Sequence, residues 1–119
     1  VLIASPDTIR LSADDAAAIS VLTIGELHAG VRLAADPAVR GHRQARLAAV
    51  EEAFEPLPID ATIARHYGEL LAIARAQRRG SKATDLLIIA TASATGRTLL
   101  TLDGSQASLA AVAGVPVNP

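Results

Sequence analysis

Residues 83–103 read ATDLLIIATASATGRTLLTLD, and this stretch decides the fold class. Residues 86–90 are apolar, so a helix formed here is apolar on nearly every side and must be deeply buried. Gly96 stops that helix, and residues 98–102 then make a short apolar run of the kind that forms a buried strand. A buried helix that leads directly into a buried strand indicates an α/β protein.

Similar signals recur along the chain. Residues 17–21 and 115–117 are further strand candidates, and the prolines of residues 55–59 suit an edge strand or a connector. The predicted helix starts are Thr23 with Glu26 as its capping-box partner, Asp36, Asp60 and Thr84; the predicted stops are Gly80, Gly96 and Gly114. Helices over residues 37–54, 61–79 and 105–113 then alternate with strands, which predicts a three-layer α/β/α fold with a mainly parallel central sheet.

The composition fits one compact domain. The chain has 119 residues, of which 50% are hydrophobic, so it is long enough to form a core and too apolar to be disordered. Phe54 and Tyr67 are its only aromatic residues, which leaves no stacking platform for single-stranded nucleic acid. The net charge is −1, so any nucleic acid would have to be held locally, through its phosphates.

The composition argues against several kinds of binding site and against a membrane span. The chain has no cysteine, which excludes disulfides and thiolate metal sites and fits a reducing compartment. Its three histidines show no zinc-ligand spacing. No apolar run reaches the roughly 18 residues that a membrane span needs. We therefore expect a cytoplasmic protein that has no contact with membranes.

Three acidic residues stand at predicted helix starts or strand ends: Glu26, Asp85 and Asp103. Each has an ordinary structural explanation, because Glu26 would complete a capping box, Asp85 would complement a helix dipole, and Asp103 would form an Asp-Gly turn. Together they favour a metal site, because the carboxyl ends of parallel strands face one crevice. A site whose ligands are carboxylates, with no cysteine or histidine among them, selects Mg²⁺ or Mn²⁺.

Two basic groups accompany the acidic residues. The first group, just before Asp85, comprises Arg75, Arg78, Arg79 and Lys82; the second comprises Arg40, Arg43 and Arg46. Solvated helix faces and favourable charges near helix C-termini explain the second group best, whereas the first is an even choice between that explanation and RNA binding. An acidic pocket repels an RNA backbone, so nearby cations and a metal would have to offset the repulsion.

The sequence resembles PIN-domain ribonucleases of the VapC toxin type. The matching stretches are residues 19–31 (ISVLTIGELHAGV), 60–70 (DATIARHYGEL), 80–92 (GSKATDLLIIATA) and 99–103 (LLTLD). Each stretch is weakly specific alone, but their order and spacing together cover nearly the whole chain. The resemblance implies a PIN-like fold, metal-dependent cleavage of RNA, a homodimer, and neutralisation by a small VapB-type antitoxin.

The sequence departs from the family at its start. The family's first metal-binding aspartate ends a first strand that would directly precede the apolar residues 1–4. Either the sequence is trimmed at its start, or the protein lacks a primary metal ligand. We expect trimming, because a sheet without its central strand should fold poorly. Residues 1–119 would then be a single PIN-like domain that is incomplete at its N-terminus. Asp7, Asp14 and Asp15 are poor substitutes for that aspartate because they lie in a polar stretch beyond the matching residues.

The resemblance implies a role for each candidate residue. Asp85 and the upstream aspartate would bind one or two metal ions directly, with Glu26 and Asp103 completing the acidic pocket as ligands or through water. Apart from the resemblance, Thr101 could place a hydroxyl near the pocket, but a threonine in a strand is more often structural. The helices after Glu26 and Asp36 have many apolar positions, so an antitoxin groove between them is predicted, with Val50 and Phe54 as contacts. Which RNA is cleaved stays open.

Two other functions remain open at this point. The same fold with an incomplete metal site would make a non-catalytic interaction module. An α/β receiver domain also gathers carboxylates around Mg²⁺, but it needs a lysine near the C-terminal edge of the sheet. Lys82, the only lysine, precedes a predicted helix, which makes the receiver domain the weaker alternative.

Overall fold

The computed structural model describes residues 18–101 and 103–117. These residues fall into two compact units that divide between Pro58 and Ile59. The first unit contains β1 (Ala18–Ser20), α1 (Val21–Leu33), α2 (Pro37–Ala53) and β2 (Glu55–Leu57); the second contains α3 (Ala61–Ala76), α4 (Ala83–Thr95) and α5 (Gly104–Val112). No helix among these is both long and apolar enough to cross a membrane.

The first unit is a helical hairpin with a short parallel sheet. Strands β1 and β2 pair in parallel, with Ile19 opposite Pro56. Asp36 caps α2 by accepting the Ala38 N–H at 2.8 Å, and Pro37 occupies the first helical position, as predicted. The buried apolar residues of this unit are Ile19, Val31, Ala34, Leu47, Val50 and Phe54. Apolar residues of both helices and β1 therefore form the core of this unit.

Two arginines of α2 hold the end of α1. Arg40 donates from Nε and Nη2 to the Ala34 carbonyl at 3.2 and 2.8 Å, and Arg43 donates from Nη1 to the Gly30 carbonyl at 2.8 Å. Carbonyls at the end of a helix lack partners within the helix, so these bonds satisfy acceptors that would otherwise need water. This finding supports the structural explanation of the second basic group.

The second unit is built around α4, which is as buried as its sequence predicts. Leu86 and Ile89 are 1% and 0% exposed. The buried Thr91 hydroxyl donates to the Leu87 carbonyl one turn earlier, so it brings no unsatisfied polar group into the interior. Helix α3 packs on α4, and His66 Nδ1 lies 2.8 Å from Ser93 Oγ across this contact.

Two predicted helix starts are wrong by one turn or less. Ser20, not Thr23, caps α1, because its hydroxyl accepts the Leu22 N–H at 3.1 Å and the helix already begins at Val21. Thr23 is therefore a buried residue inside the helix, and the capping-box explanation of Glu26 no longer applies. Helix α4 likewise begins at Ala83 with Lys82 at the cap position, so Thr84 is not the cap.

The predicted end of α3 is also wrong. The helix stops at Ala76 because Arg78, with φ of 55°, takes the left-handed conformation that was expected of Gly80. The Arg79 N–H then donates to the Ala74 carbonyl at 2.8 Å, and the Arg78 N–H donates to the Arg75 carbonyl at 3.0 Å. These two bonds form a Schellman motif, which ends the helix three residues early.

Within residues 98–101 and 103–117, the predicted strands near the C-terminus are reduced to one parallel bridge between Leu99 and Val117. The Leu99 N–H donates to the Pro116 carbonyl at 2.8 Å, but Pro116 has no N–H to return and so limits the ladder. Gly96 and Gly114 end their helices with positive φ, as predicted. The apolar start at residues 1–4, the three aspartates near it and Ala17 lie outside the described residues.

Candidate functional site

The second unit contains a cleft of about 260 Å³ around the start of α4. Its lining residues are Arg79, Gly80, Ser81, Lys82, Asp85, Asp103, Ser105, Gln106 and Leu109. They come from the loop after α3, the first turn of α4 and the start of α5. Two of the three predicted metal ligands, Asp85 and Asp103, therefore line one cleft.

Asp85 lies in the first turn of α4 and is half-buried. No hydrogen bond or ion pair joins its carboxylate to any residue in the described part of the chain. The positive end of the helix dipole favours a carboxylate at this position. A half-buried carboxylate still loses hydration, so one without a protein partner is well suited to bind an added cation.

Asp103 caps α5 and is held in place by its neighbours. Its Oδ1 accepts the Ser105 and Gln106 N–H groups at 2.9 and 3.2 Å. Its own N–H donates to Thr101 Oγ1 at 3.0 Å, and the Thr101 hydroxyl donates to Gln106 Oε1 at 2.7 Å. Only Oδ1 makes the cap, so Oδ2 of this exposed carboxylate is available to a ligand.

Sequence reasoning missed Gln106, which is 7% exposed and links Thr101 to α5. Residues 103–106 read DGSQ, and an Asp followed three positions later by Gln is the spacing of a capping box. That spacing was a usable signal. Here, however, the Gln106 side chain bonds the Thr101 hydroxyl instead of the cap residue's own N–H.

The first basic group divides into two parts. Arg79 and Lys82 line the cleft, whereas Arg75 and Arg78 do not. Arg79 Nη2 donates to Ser108 Oγ at 3.2 Å. Lys82 stands at the cap position of α4, where its side chain makes no cap hydrogen bond. Positive and negative side chains therefore share the walls of one cleft.

Glu26 belongs to the first unit, where it is an exposed residue of α1. In the described ranges, no three His, Cys, Asp or Glu side chains form a group that could hold a metal ion. The metal-binding role of Glu26 therefore stays a prediction. The donors that do line the cleft are carboxylate, amide and hydroxyl oxygens, which are the ligands preferred by Mg²⁺ and Mn²⁺.

The predicted antitoxin contacts are placed differently from expectation. Val50 and Phe54 are 1% and 6% exposed, so they are core residues and cannot line an open groove. The physical reason is that α1 packs directly against α2, so the space in which the sequence analysis placed a groove is closed. The exposed apolar residues of this unit include Leu33, at 82%, and Val39, at 41%.

Comparison with known proteins gives a consistent result. The PIN domain family profile matches residues 5–112. Ribonuclease VapC4 of Mycobacterium tuberculosis is 34% identical over 91 residues, covering 76% of this chain and 69% of that protein. Ribonuclease VapC8 of the same species is 42% identical over 77 residues, covering 63% and 68%.

The structural comparison agrees. A crystal structure of VapBC-5, a toxin–antitoxin system of Mycobacterium tuberculosis, matches with a TM-score of 0.78 and 33% identity. The match covers 84% of this chain and 79% of that one. These likenesses confirm the PIN fold, the expected α/β class, and the resemblance to VapC toxins.

Proposed function

The chain belongs to the PIN-domain family, and from this premise we propose that it is a Mg²⁺- or Mn²⁺-dependent endoribonuclease that acts as the toxin of a toxin–antitoxin pair. The observation that most supports the proposal is the cleft in which Asp85 and Asp103 lie with Arg79 and Lys82. Carboxylates suit a hard cation, and guanidinium and ammonium groups suit a phosphodiester. A metal-dependent nuclease that hydrolyses RNA uses both kinds of group.

The carboxylates of the cleft would hold the cation. A bound divalent ion lowers the pKa of a water ligand and stabilises negative charge on a phosphate. Asp85 is the principal candidate ligand because its half-buried carboxylate has no partner in the described residues. Asp103 would contribute Oδ2 while its Oδ1 keeps the cap of α5. The cap fixes the position of this carboxylate before substrate arrives, which reduces the entropy lost on binding.

Glu26 is proposed as a third acidic residue of the same site. The structure removes the strongest competing explanation, because Glu26 lies inside α1 and does not complete its cap. An exposed glutamate in a helix needs no ligand, so this assignment rests on the family resemblance.

The partners follow from the relatives. The matched VapBC-5 structure is described as a toxin–antitoxin system, and we propose a VapB-type antitoxin as the partner of this chain. A homodimer, an RNA substrate and action in the cytoplasm, where such RNA occurs, belong to the same proposal. Leu33 and Val39 replace Val50 and Phe54 as proposed apolar contacts, because only the former are exposed.

The experiment is an RNA cleavage assay with mapping of the new ends. RNA incubated with the chain in Mg²⁺ or Mn²⁺ should be cut at defined positions, and EDTA should stop the cleavage. Sequencing the ends from cells that express the protein should show the same positions. A chain that binds an antitoxin but cuts no RNA with either metal would instead favour the non-catalytic interaction module.

A further inference from the structure

Arg79 is held at the edge of the cleft from two sides. Its backbone N–H closes the Schellman motif on Ala74, and its Nη2 donates to Ser108 Oγ on α5 at 3.2 Å. An arginine side chain has several N–H donors, so this bond leaves others for a ligand. The guanidinium of this half-buried residue is thus oriented by a protein contact before any ligand arrives.

Lys82 lies three residues further along the same cleft wall. Within the described residues, no ion pair of 4.0 Å or less joins Lys82 or Arg79 to Asp85 or Asp103. Neither cation is therefore engaged in an ion pair with the carboxylates that line the same cleft, and both are open to an anionic ligand. The other two basic residues of the segment, Arg75 and Arg78, are exposed and lie outside the cleft.

We infer that Arg79 and Lys82 form a phosphate subsite beside the carboxylates, and that Ser108 is a positioning residue for Arg79. The ligand is a phosphodiester group of single-stranded RNA, which a guanidinium binds through two oxygens and an ammonium binds as a point charge. The inference rests on the proposed nuclease function. It reduces the proposed RNA-binding residues of the first basic group from four to two.

The test compares two arginines of one segment. Arg79→Gln and Arg75→Gln each remove one positive charge, so a general effect of net charge is equal in both variants. We expect Arg79→Gln to weaken binding of a labelled single-stranded RNA in EDTA about tenfold, and to reduce the salt dependence of log K by about 0.7. Arg75→Gln should change the affinity by less than about twofold.

Lys82→Gln provides a second variant of the subsite. Because the Lys82 side chain makes no hydrogen bond in the described residues, Lys82→Gln should not affect folding, and it should weaken RNA binding as Arg79→Gln does. Circular dichroism and thermal melting of every variant establish that the fold is unchanged. In Mg²⁺, the loss at either position should raise KM more than it lowers kcat, because the subsite holds a phosphate that does not react.

Ser108 tests the positioning role separately. Ser108→Ala should weaken RNA binding about two- to threefold, since Arg79 then loses one orienting bond but keeps its charge. Ser108→Thr retains a hydroxyl and should restore the parent affinity. Adding Ser108→Ala to Arg79→Gln should change nothing further, because the residue that it positions is already gone.

The results separate this inference from the proposed function. Equal losses for Arg75→Gln and Arg79→Gln, or no loss for either, would overturn the subsite even if the parent chain cuts RNA. A contrast between the two in a parent chain that cuts no RNA would instead support the subsite and refute the nuclease. Unchanged binding in Ser108→Ala would refute the positioning role alone.

Discussion

Thr101 donates its hydroxyl proton to Gln106 Oε1 at 2.7 Å, and both residues are buried, at 8% and 7% exposure. The same hydroxyl accepts the Asp103 N–H at 3.0 Å, while Asp103 Oδ1 accepts the Gln106 N–H at 3.2 Å. These bonds close a ring that joins the end of the 98–101 segment to the start of α5. The cleft carboxylate of Asp103 is thereby placed by buried partners.

Replacing Thr101 by valine should weaken the fold through this ring. The change keeps the side-chain shape but removes two observed hydrogen bonds, and we expect a loss of about 1–3 kcal/mol in the free energy of unfolding. Thr101→Ser keeps the hydroxyl and should lose less. The control is Thr98→Val at an exposed position nearby, expected within about 0.5 kcal/mol of the parent. Equal stabilities of the two valine variants in urea denaturation would contradict the role of the ring.

Alanine substitutions at two glycines test the helix geometry, because they should change stability in opposite directions. A Cβ at Gly41, inside α2, or at Gly96, after α4, would meet no atom within 4 Å, so space does not distinguish them. Gly96 has φ of +65°, where an alanine is strained by about 1–2 kcal/mol. Gly41→Ala should therefore stabilise by about 0.5–1 kcal/mol and Gly96→Ala should destabilise. Denaturation curves that shift in the same direction would refute one of the two assignments.

Leu33 is exposed and Val50 is buried in the first unit, so polar substitutions at the two positions should differ in their effect on stability. Val50→Ser places a hydroxyl in the interior and should cost about 2–4 kcal/mol, whereas Leu33→Ser should leave stability within about 0.5 kcal/mol. Only Leu33→Ser is thus informative about partners, and it should weaken binding to the cognate antitoxin. Calorimetry with the purified antitoxin checks this. Parent-like affinity in the Leu33 variant would place the antitoxin surface elsewhere.

Local signals predicted much of the fold because they act over a few residues. Asp36 and Asp60 cap their helices as side-chain acceptors, and Gly96 and Gly114 end helices with positive φ. The apolar run of α4 correctly indicated a buried helix. Each of these features depends on chemistry within one turn, which a sequence displays directly.

The errors arose where two neighbouring residues were chemically equivalent or where tertiary packing decided. Ser20 and Thr23 are both good caps, and only the backbone shows that Ser20 is used. Arg78 takes the left-handed position although Gly80 is the better residue for it. Val50 and Phe54 are apolar whether they face a core or a partner, so their burial could not be predicted. Asp85, Asp103 and the basic group before Asp85 were noted through their residue type and position, but which two of the four cations line the cleft could not be predicted.

Metal binding should stabilise the chain. An ion that binds only the folded state raises the free energy of unfolding, by about 2.7 kcal/mol when its concentration is a hundred times Kd. Melting temperatures should therefore rise with Mn²⁺, and the Asp85→Asn variant should lose most of this rise. In EDTA that variant should be no less stable than the parent, because an unpaired carboxylate has been removed. A melting temperature of the chain that does not change in millimolar Mn²⁺ would contradict the metal site.

The most direct test of the account is RNA cleavage by three aspartate-to-asparagine variants in Mg²⁺. Asparagine caps helices as well as aspartate, so Asp103→Asn and Asp36→Asn should both fold while each loses one charge. We expect Asp85→Asn and Asp103→Asn to reduce the cleavage rate at least about a hundredfold, whereas Asp36→Asn, at an exposed cap that does not line the cleft, should cleave at the parent rate. Parent-like cleavage by Asp85→Asn, or equal losses in all three variants, would contradict the account.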